Sequence, residues 1–189
     1  MLPNIRDDFK KKVSKLEDYI TLVVANAKNY EILSEEILKY LLLVDKIPGV
    51  YITLNKPYDI ILRKFKDKKI DNRLIIFIDG ITNVSQSNKT KIQNCLFINT
   101  PEKLSDLFVA LDQAVNAITV KNKFIFLDSL NTLTLFNTET IIARFAHQLI
   151  AKMRAWKIKG VILSIEGTHD QLITELTPFC DIRFQTPTK

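Results

Sequence analysis

Residues 124–130 read FIFLDSL, a run of buried-type apolar residues that ends in aspartate and serine. Four such residues in succession suit a strand covered on both faces rather than a half-exposed one. Several similar runs occur along the chain: TLVVA (Thr21 to Ala25), GVYITL (Gly49 to Leu54), RLIIFID (Arg73 to Asp79) and VILSI (Val161 to Ile165). Shorter strands are expected at Cys95 to Ile98 and Asp181 to Gln185. Between them the apolar residues recur at helical spacing.

The helices follow from that spacing. Ile5, Phe9, Val13 and Leu16 mark an N-terminal helix within residues 1–18, capped by Asn4. Ile32 to Val44 and Tyr58 to Phe65 are the next two. Thr100 and Pro101 predict the start of a fourth, with Leu104, Leu107, Phe108, Leu111, Val115 and Ile118 as its buried stripe. Thr138 starts a long one that buries Ile141, Ile142, Phe145, Leu149, Met153 and Trp156 and stops at Gly160. A last helix is expected from His169 to Phe179. The polar stretch from Thr82 to Asn94 reads as a mobile surface loop. Strands alternating with amphipathic helices predict an α/β fold with a mainly parallel sheet and helices on both faces. The 189 residues fit one domain.

Composition excludes several classes. The two cysteines, Cys95 and Cys180, form no zinc spacing, so reduced thiols in a cytoplasmic protein are expected. No apolar run reaches the roughly 18 residues that a membrane span needs, and no membrane partner is expected. The two histidines, His147 and His169, do not make a metal set, so no metal is assigned. His147 falls off its helix's apolar stripe and is expected to be exposed. His169 sits at a strand end, where it reaches either a ligand or the start of a helix. Ser129, Ser164 and His169 lack the GxSxG turn of a hydrolase. Asn88-Lys89-Thr90 matches a glycosylation sequon, which has meaning only in a secreted protein. The net charge of +6 gathers in two clusters, Lys10 to Lys15 and Arg63 to Lys69, each at the end of a helix. Cations there complement the helix dipole; a nucleic-acid surface is the other reading.

Ligands of an open parallel sheet bind beyond the C-terminal ends of the strands. The residues to inspect are therefore Ala25 to Glu31, Asn55-Lys56, Asp79-Gly80, Asp128-Ser129 and Glu166-Gly167. An aspartate at the end of FIFLD is placed to hold Mg²⁺ beside a phosphate, or to cap the next turn.

From Phe124 to Asp181 the chain resembles the archaeal KaiC/GvpD group of RecA-superfamily proteins. LDSLNTL (Leu127 to Leu133), IIARFAHQLIAKMR (Ile141 to Arg154), GVILSIEG (Gly160 to Gly167) and LTPFCDIRF (Leu176 to Phe184) carry the resemblance. GVYITLNKPYDIIL (Gly49 to Leu62) and FIDGIT (Phe77 to Thr82) fit the same template in order. The resemblance implies a RecA-like P-loop NTPase fold, with FIFLD near TLVVA and ATP held by the loop after TLVVA. It also implies an archaeal source and a signalling or regulatory setting.

The chain departs from that pattern at the loop itself. A phosphate loop of the form GxxxxGK[ST] uses glycines so that backbone N–H groups wrap the phosphates. In ANAKNYEI, Ala25 and Tyr30 stand where the glycines belong, Glu31 at the lysine and Ile32 at the hydroxyl residue. Two unit charges about 4 Å apart interact by roughly 4 kcal/mol at an effective dielectric near 20, so reversing one sign costs up to about twice that. Micromolar binding is worth only about 8 kcal/mol. Lys28, three residues early, is the one candidate substitute. After GVYITL the resemblance implies adjacent glutamates, one of which activates water; here Asn55 and Lys56 stand instead. Neither accepts a proton readily at neutral pH.

These residues predict a non-catalytic RecA/KaiC-like domain, without cofactor, that binds a protein partner or its own copies. One alternative is an ATP-binding enzyme using Asp128, Ser129 and Asn55 with Mg²⁺. The other is a nucleic-acid accessory protein using the lysine clusters.

Overall fold

The computed structural model describes residues 4–82, 92–98, 100–167 and 169–185. Seven strands form one sheet: β1 (Ile20–Ala25), β2 (Gly49–Thr53), β3 (Ile75–Asp79), β4 (Cys95–Phe97), β5 (Phe124–Asp128), β6 (Lys159–Ile165) and β7 (Ile182–Gln185). Their order is β4-β3-β2-β5-β6-β1-β7, and every neighbouring pair is parallel. The α/β architecture read from the strands is the one observed. FIFLD lies near β1 but not beside it, because β6 separates the two.

Helices cover both faces. On one side α1 (Ile5–Val13), α2 (Tyr30–Lys39) and α3 (Tyr58–Asp67) bury Phe9, Leu33, Ile37 and Phe65 against Val23, Phe77 and Phe126. On the other, α4 (Leu104–Ala117), α5 (Glu139–Ala155) and α6 (Asp170–Leu176) bury Leu111, Leu149, Met153 and Leu172 against Leu22, Ile52 and Leu127. Central strands β1, β2 and β5 are buried at every position, so both of their faces must be apolar.

Several boundaries differ from the sequence reading. Gly160 does not stop α5. That helix ends at Ala155, the chain turns through Lys157 at φ 52°, and Gly160 lies inside β6. Its missing side chain leaves room for Met153 and Ile20. The fourth helix starts at Leu104 with Lys103 at its cap. Thr100 and Pro101 belong to the turn before it, where the Thr100 hydroxyl accepts from the Glu102 N–H at 3.3 Å. Ile141 is exposed, since the buried stripe of α5 is centred on Ile142, Phe145, Leu149 and Met153. The helix expected to end at Val44 continues α2 through a wider π turn at Tyr40–Val44. His147 is half-buried rather than exposed, with its ring 3.9 Å from that of Phe179. Most of the loop read from Thr82 to Asn94 lies outside the described residues.

The lysine cluster of α3 is partly absorbed by α2. Lys68 pairs with Glu35 at 3.4 Å and Lys64 with Glu31 at 3.5 Å, while Arg6 of α1 reaches Glu36 at 2.7 Å. The carboxylates of α2 thus tie its two neighbours to it.

Gly49 is fixed by packing. A β-carbon there would stand 2.4 Å from the Phe124 ring, which is fully buried. Gly49→Ala is expected to cost about 1–3 kcal/mol through overpacking. A thermal melt should fall by roughly 2–4 °C for each kcal/mol lost; an unchanged melt would show that Phe124 moves freely.

Candidate functional site

At the C-terminal end of the sheet the chain leaves β1 through a turn of four residues, Asn26 to Asn29. Asn26 closes it. Its carbonyl accepts from the N–H groups of Asn29 at 3.1 Å and Tyr30 at 3.0 Å, and its side-chain oxygen accepts from Asn29 N–H at 2.9 Å. The amides of Asn29 and Tyr30 are therefore spent within the turn. Ala25 is buried in β1, with its carbonyl accepting from Glu166 N–H at 2.8 Å. Lys28 and Ile32 are exposed, Ile32 on the outer side of α2. Lys28 has no hydrogen bond or ion pair among the described residues.

The residues at the lysine and glutamate positions meet each other. Lys56 Nζ donates to Glu31 Oε1 at 2.5 Å, and Lys64 approaches the same oxygen at 3.5 Å. The hydrogen bond from Lys56, then the charges of Lys64 and Lys56, hold Glu31 below the usual carboxylate range. Sequence reasoning treats these positions as two separate losses. The structure joins Glu31 and Lys56 as one ion pair, with the acid on α2 and the base after β2. The Glu31 side chain is 57% exposed, so the pair contributes little to stability by itself.

Behind that pair lies a buried polar cluster. Asp128 ends β5 and is buried. Tyr51 of β2 donates its hydroxyl proton to Asp128 Oδ2, and Asn55 Nδ2 donates to Oδ1 at 3.3 Å. The same Asn55 nitrogen lies 3.0 Å from the Tyr30 hydroxyl at the start of α2. Burial pushes the Asp128 carboxyl up to about 7, outweighing the two donors that favour its ionised form. Burial also raises Tyr51, whose hydroxyl takes a further hydrogen bond from Ser34. Ser129 is buried and starts the short 3-10 helix Leu130–Leu135. Of the residues flagged in the sequence, Tyr30, Glu31, Asn55 and Asp128 come together; Lys28, Ile32 and Ser129 do not join them. Tyr51 was missed because a tyrosine inside an apolar run reads as core. Its position two residues before the strand end, on the β2 register neighbouring β5, is the signal that could have found it.

A magnesium-bound triphosphate does not fit these residues. A hard cation needs oxygen lone pairs directed at it, and both Asp128 oxygens face donors instead. A triphosphate needs cations and free amides, and meets Glu31 and a closed turn. Among the described residues no group of three or more His, Cys, Asp or Glu side chains could hold a metal ion, and no helix is long and apolar enough to cross a membrane.

The other strand ends are structural. Asp79 is fully buried and accepts from the N–H groups of Tyr58, Ile81 and Thr82 at 2.7–2.9 Å, capping α3 and the turn after β3. Asn131 accepts from Ser164 Oγ at 2.9 Å and Ile165 N–H at 2.6 Å, locking the segment after β5 to β6. His169 starts α6. Its Nδ1 is 2.6 Å from Glu139 and its Nε2 2.9 Å from Thr134, so it joins three elements rather than Ser129 or Ser164.

This is a RecA-type α/β fold of the KaiC-like kind. Solved structures match it in 171 chains, among them the KaiC-like protein PH0186 from the hyperthermophilic archaeon Pyrococcus horikoshii OT3. The TM-score is 0.54 at 14% sequence identity, over 78% of this chain. The chain spans 61% of that protein's length. No protein-family model and no curated protein matches it.

Two outcomes follow. In a double-mutant cycle, Glu31→Lys places cations beside Lys56 and Lys64 and destabilises, and adding Lys56→Glu restores most of the loss. The coupling is expected at about 0.5–1 kcal/mol by urea unfolding, shrinking in high salt. Zero coupling would show that the pair is not formed in solution. Asp128 binds its proton more tightly folded than unfolded, where its pKa is about 3.9. The Asp128 contribution to native stability is therefore greatest below that value and is lost as pH rises toward about 7. Asp128→Asn should lack this loss. Equal slopes for both proteins between those pH values would contradict the buried, raised carboxyl.

Proposed function

We propose that the chain is a non-catalytic KaiC/RecA-like domain, a pseudo-ATPase that works by binding another protein or its own copies in a regulatory or scaffolding role. The Glu31–Lys56 pair carries this reading. It puts a carboxylate where the resemblance expects the phosphate-binding lysine, and a lysine at one of the two adjacent positions where it expects glutamates. The cluster behind it supports the same reading. Tyr51 and Asn55 occupy Asp128 with donors, so this aspartate acts as a packing partner. What remains is a stable α/β body whose surfaces are free to diverge. The ATP-using alternative has no observation in its favour at this end of the sheet.

Isothermal titration with MgATP, MgADP and MgGTP should show nothing tighter than about 1 mM, equivalent to roughly 4 kcal/mol of binding. A micromolar dissociation constant would overturn the reading. An interaction that survives Asp128→Asn and is found by cross-linking or co-purification would supply the partner.

A further inference from the structure

The opposite end of the sheet carries a different pattern. Strands β1, β6, β5, β2 and β3 start level with one another, and the segments entering them are bonded side by side. Tyr19 carbonyl accepts from Gly160 N–H at 2.7 Å, Lys123 carbonyl from Lys159, Pro48 carbonyl from Phe124, and Leu74 carbonyl from Gly49. These entering segments therefore form one continuous end surface.

Two kinds of residue alternate on it. Leu16, Leu43, Val44, Leu74 and Val120 are each 40–49% exposed. Beside them stand Lys15, Lys46, Lys69, Lys121 and Lys157, all exposed and without an ion-pair partner among the described residues. Exposed Glu17, Asp18 and Asp67 oppose them; Asp45 is taken by Lys159 at 2.7 Å and Asp71 by Arg73 at 2.6 Å. The shallow hollow between Lys121 and Lys157 is lined also by Leu16, Asn122 and Lys159, and by the carboxylates of Glu17 and Asp18.

Three of those lysines have an unusual backbone. Lys46, Lys69 and Lys157 have φ of 53°, 53° and 52°, and they are the non-glycine residues with positive φ among those described. Each follows a helix end, the position at which glycine is the cheap choice. A side chain there costs free energy that glycine would not. Attraction between the ammonium groups and the helix C-termini recovers part of that cost, but it does not account for the exposed leucines and valines between them.

We propose that this end is a docking surface for an anionic lipid bilayer. Lysines attract the negative surface, while leucines and valines enter its apolar boundary. A phosphodiester backbone would reward the lysines alone, which is why the interleaved apolar side chains favour lipid. Such a contact needs no spanning helix. It lies away from the Glu31–Lys56 end and does not depend on the fate of nucleotide binding there.

The test uses the full chain in vesicle co-sedimentation, comparing phosphatidylcholine with phosphatidylcholine–phosphatidylglycerol mixtures and, separately, duplex DNA. Binding is expected to the anionic vesicles, to weaken in high salt, and to be absent with phosphatidylcholine alone. Lys46→Gly, Lys69→Gly and Lys157→Gly should each reduce vesicle partitioning roughly fivefold while keeping or raising the melting temperature. A merely structural lysine would leave partitioning unchanged. Leu43→Ser with Val120→Ser, at surface positions that leave the fold intact, should also lower binding. Absence of vesicle binding by the wild type, partitioning indifferent to either set of variants, or binding to DNA but not to vesicles would each overturn the proposal.

Discussion

The molecule is organised by the burial of a parallel sheet on both faces. Inside such a sheet a polar side chain has no water, so each one must find a partner or move to an end of its strand. Most of the chain obeys this. Thr53, Asp79, Asp128, Ser129 and Ser164 are buried in the C-terminal halves of their strands or just beyond, whereas Thr21, fully buried near the start of β1, keeps a hydroxyl without a hydrogen-bond partner among the described residues. Asp79 and Asp128 stand in similar places, two strands apart, and solve the problem differently. Asp79 collects backbone amides from the turn that follows it. Asp128 collects side chains from a neighbouring strand, and so it depends on residues distant in sequence.

That difference explains what the sequence made legible. Strands and helices could be read because each is a local pattern of apolar spacing. The errors arose where a residue type has more than one use. Gly160 looked like a helix stop because glycine often is one, but packing against Met153 and Ile20 requires it inside β6. Thr100-Pro101 looked like a cap, yet a turn uses the same residues. At the candidate site, the substitutions at Glu31, Asn55 and Lys56 were visible one by one. Their contact was not, since 25 residues separate Glu31 from Lys56 and only the packing of α2 beside the end of β2 joins them. Tyr51 stayed hidden for the same reason: its hydroxyl matters only because β5 lies next to β2.

The Glu31–Lys56 pair also bears on how such a site changes. Without Lys56, Glu31 would keep only the longer contact to Lys64 at 3.5 Å. A lone Lys56 would crowd Lys64, whose ammonium burial already disfavours. Together the two charges neutralise each other at a modest net gain, because both are partly exposed. The stability of this end therefore rests on the uncharged contacts beneath them, Tyr51 and Asn55 with Asp128 and Tyr30 above Asn55. Filling by tyrosine rings and amides suits a body that keeps its shape without a bound ligand.

Glycine scarcity connects the two ends. The chain has four glycines, and three of them, Gly49, Gly80 and Gly160, are placed where a β-carbon would collide with a neighbour. None is left for a phosphate-cradling loop, where Asn26 closes a short turn instead, and none for the helix ends at Lys46, Lys69 and Lys157. Packing fixes three of the glycines, and the fourth, Gly167, takes a left-handed φ of 87° in the open turn after β6. At the C-terminal end the scarcity yields a closed, uncharged cluster under one ion pair. At the other it yields lysines held in a costly conformation among exposed aliphatic side chains. A fold that needed a mobile loop at one end and quiet solvent-facing turns at the other would place its glycines the opposite way.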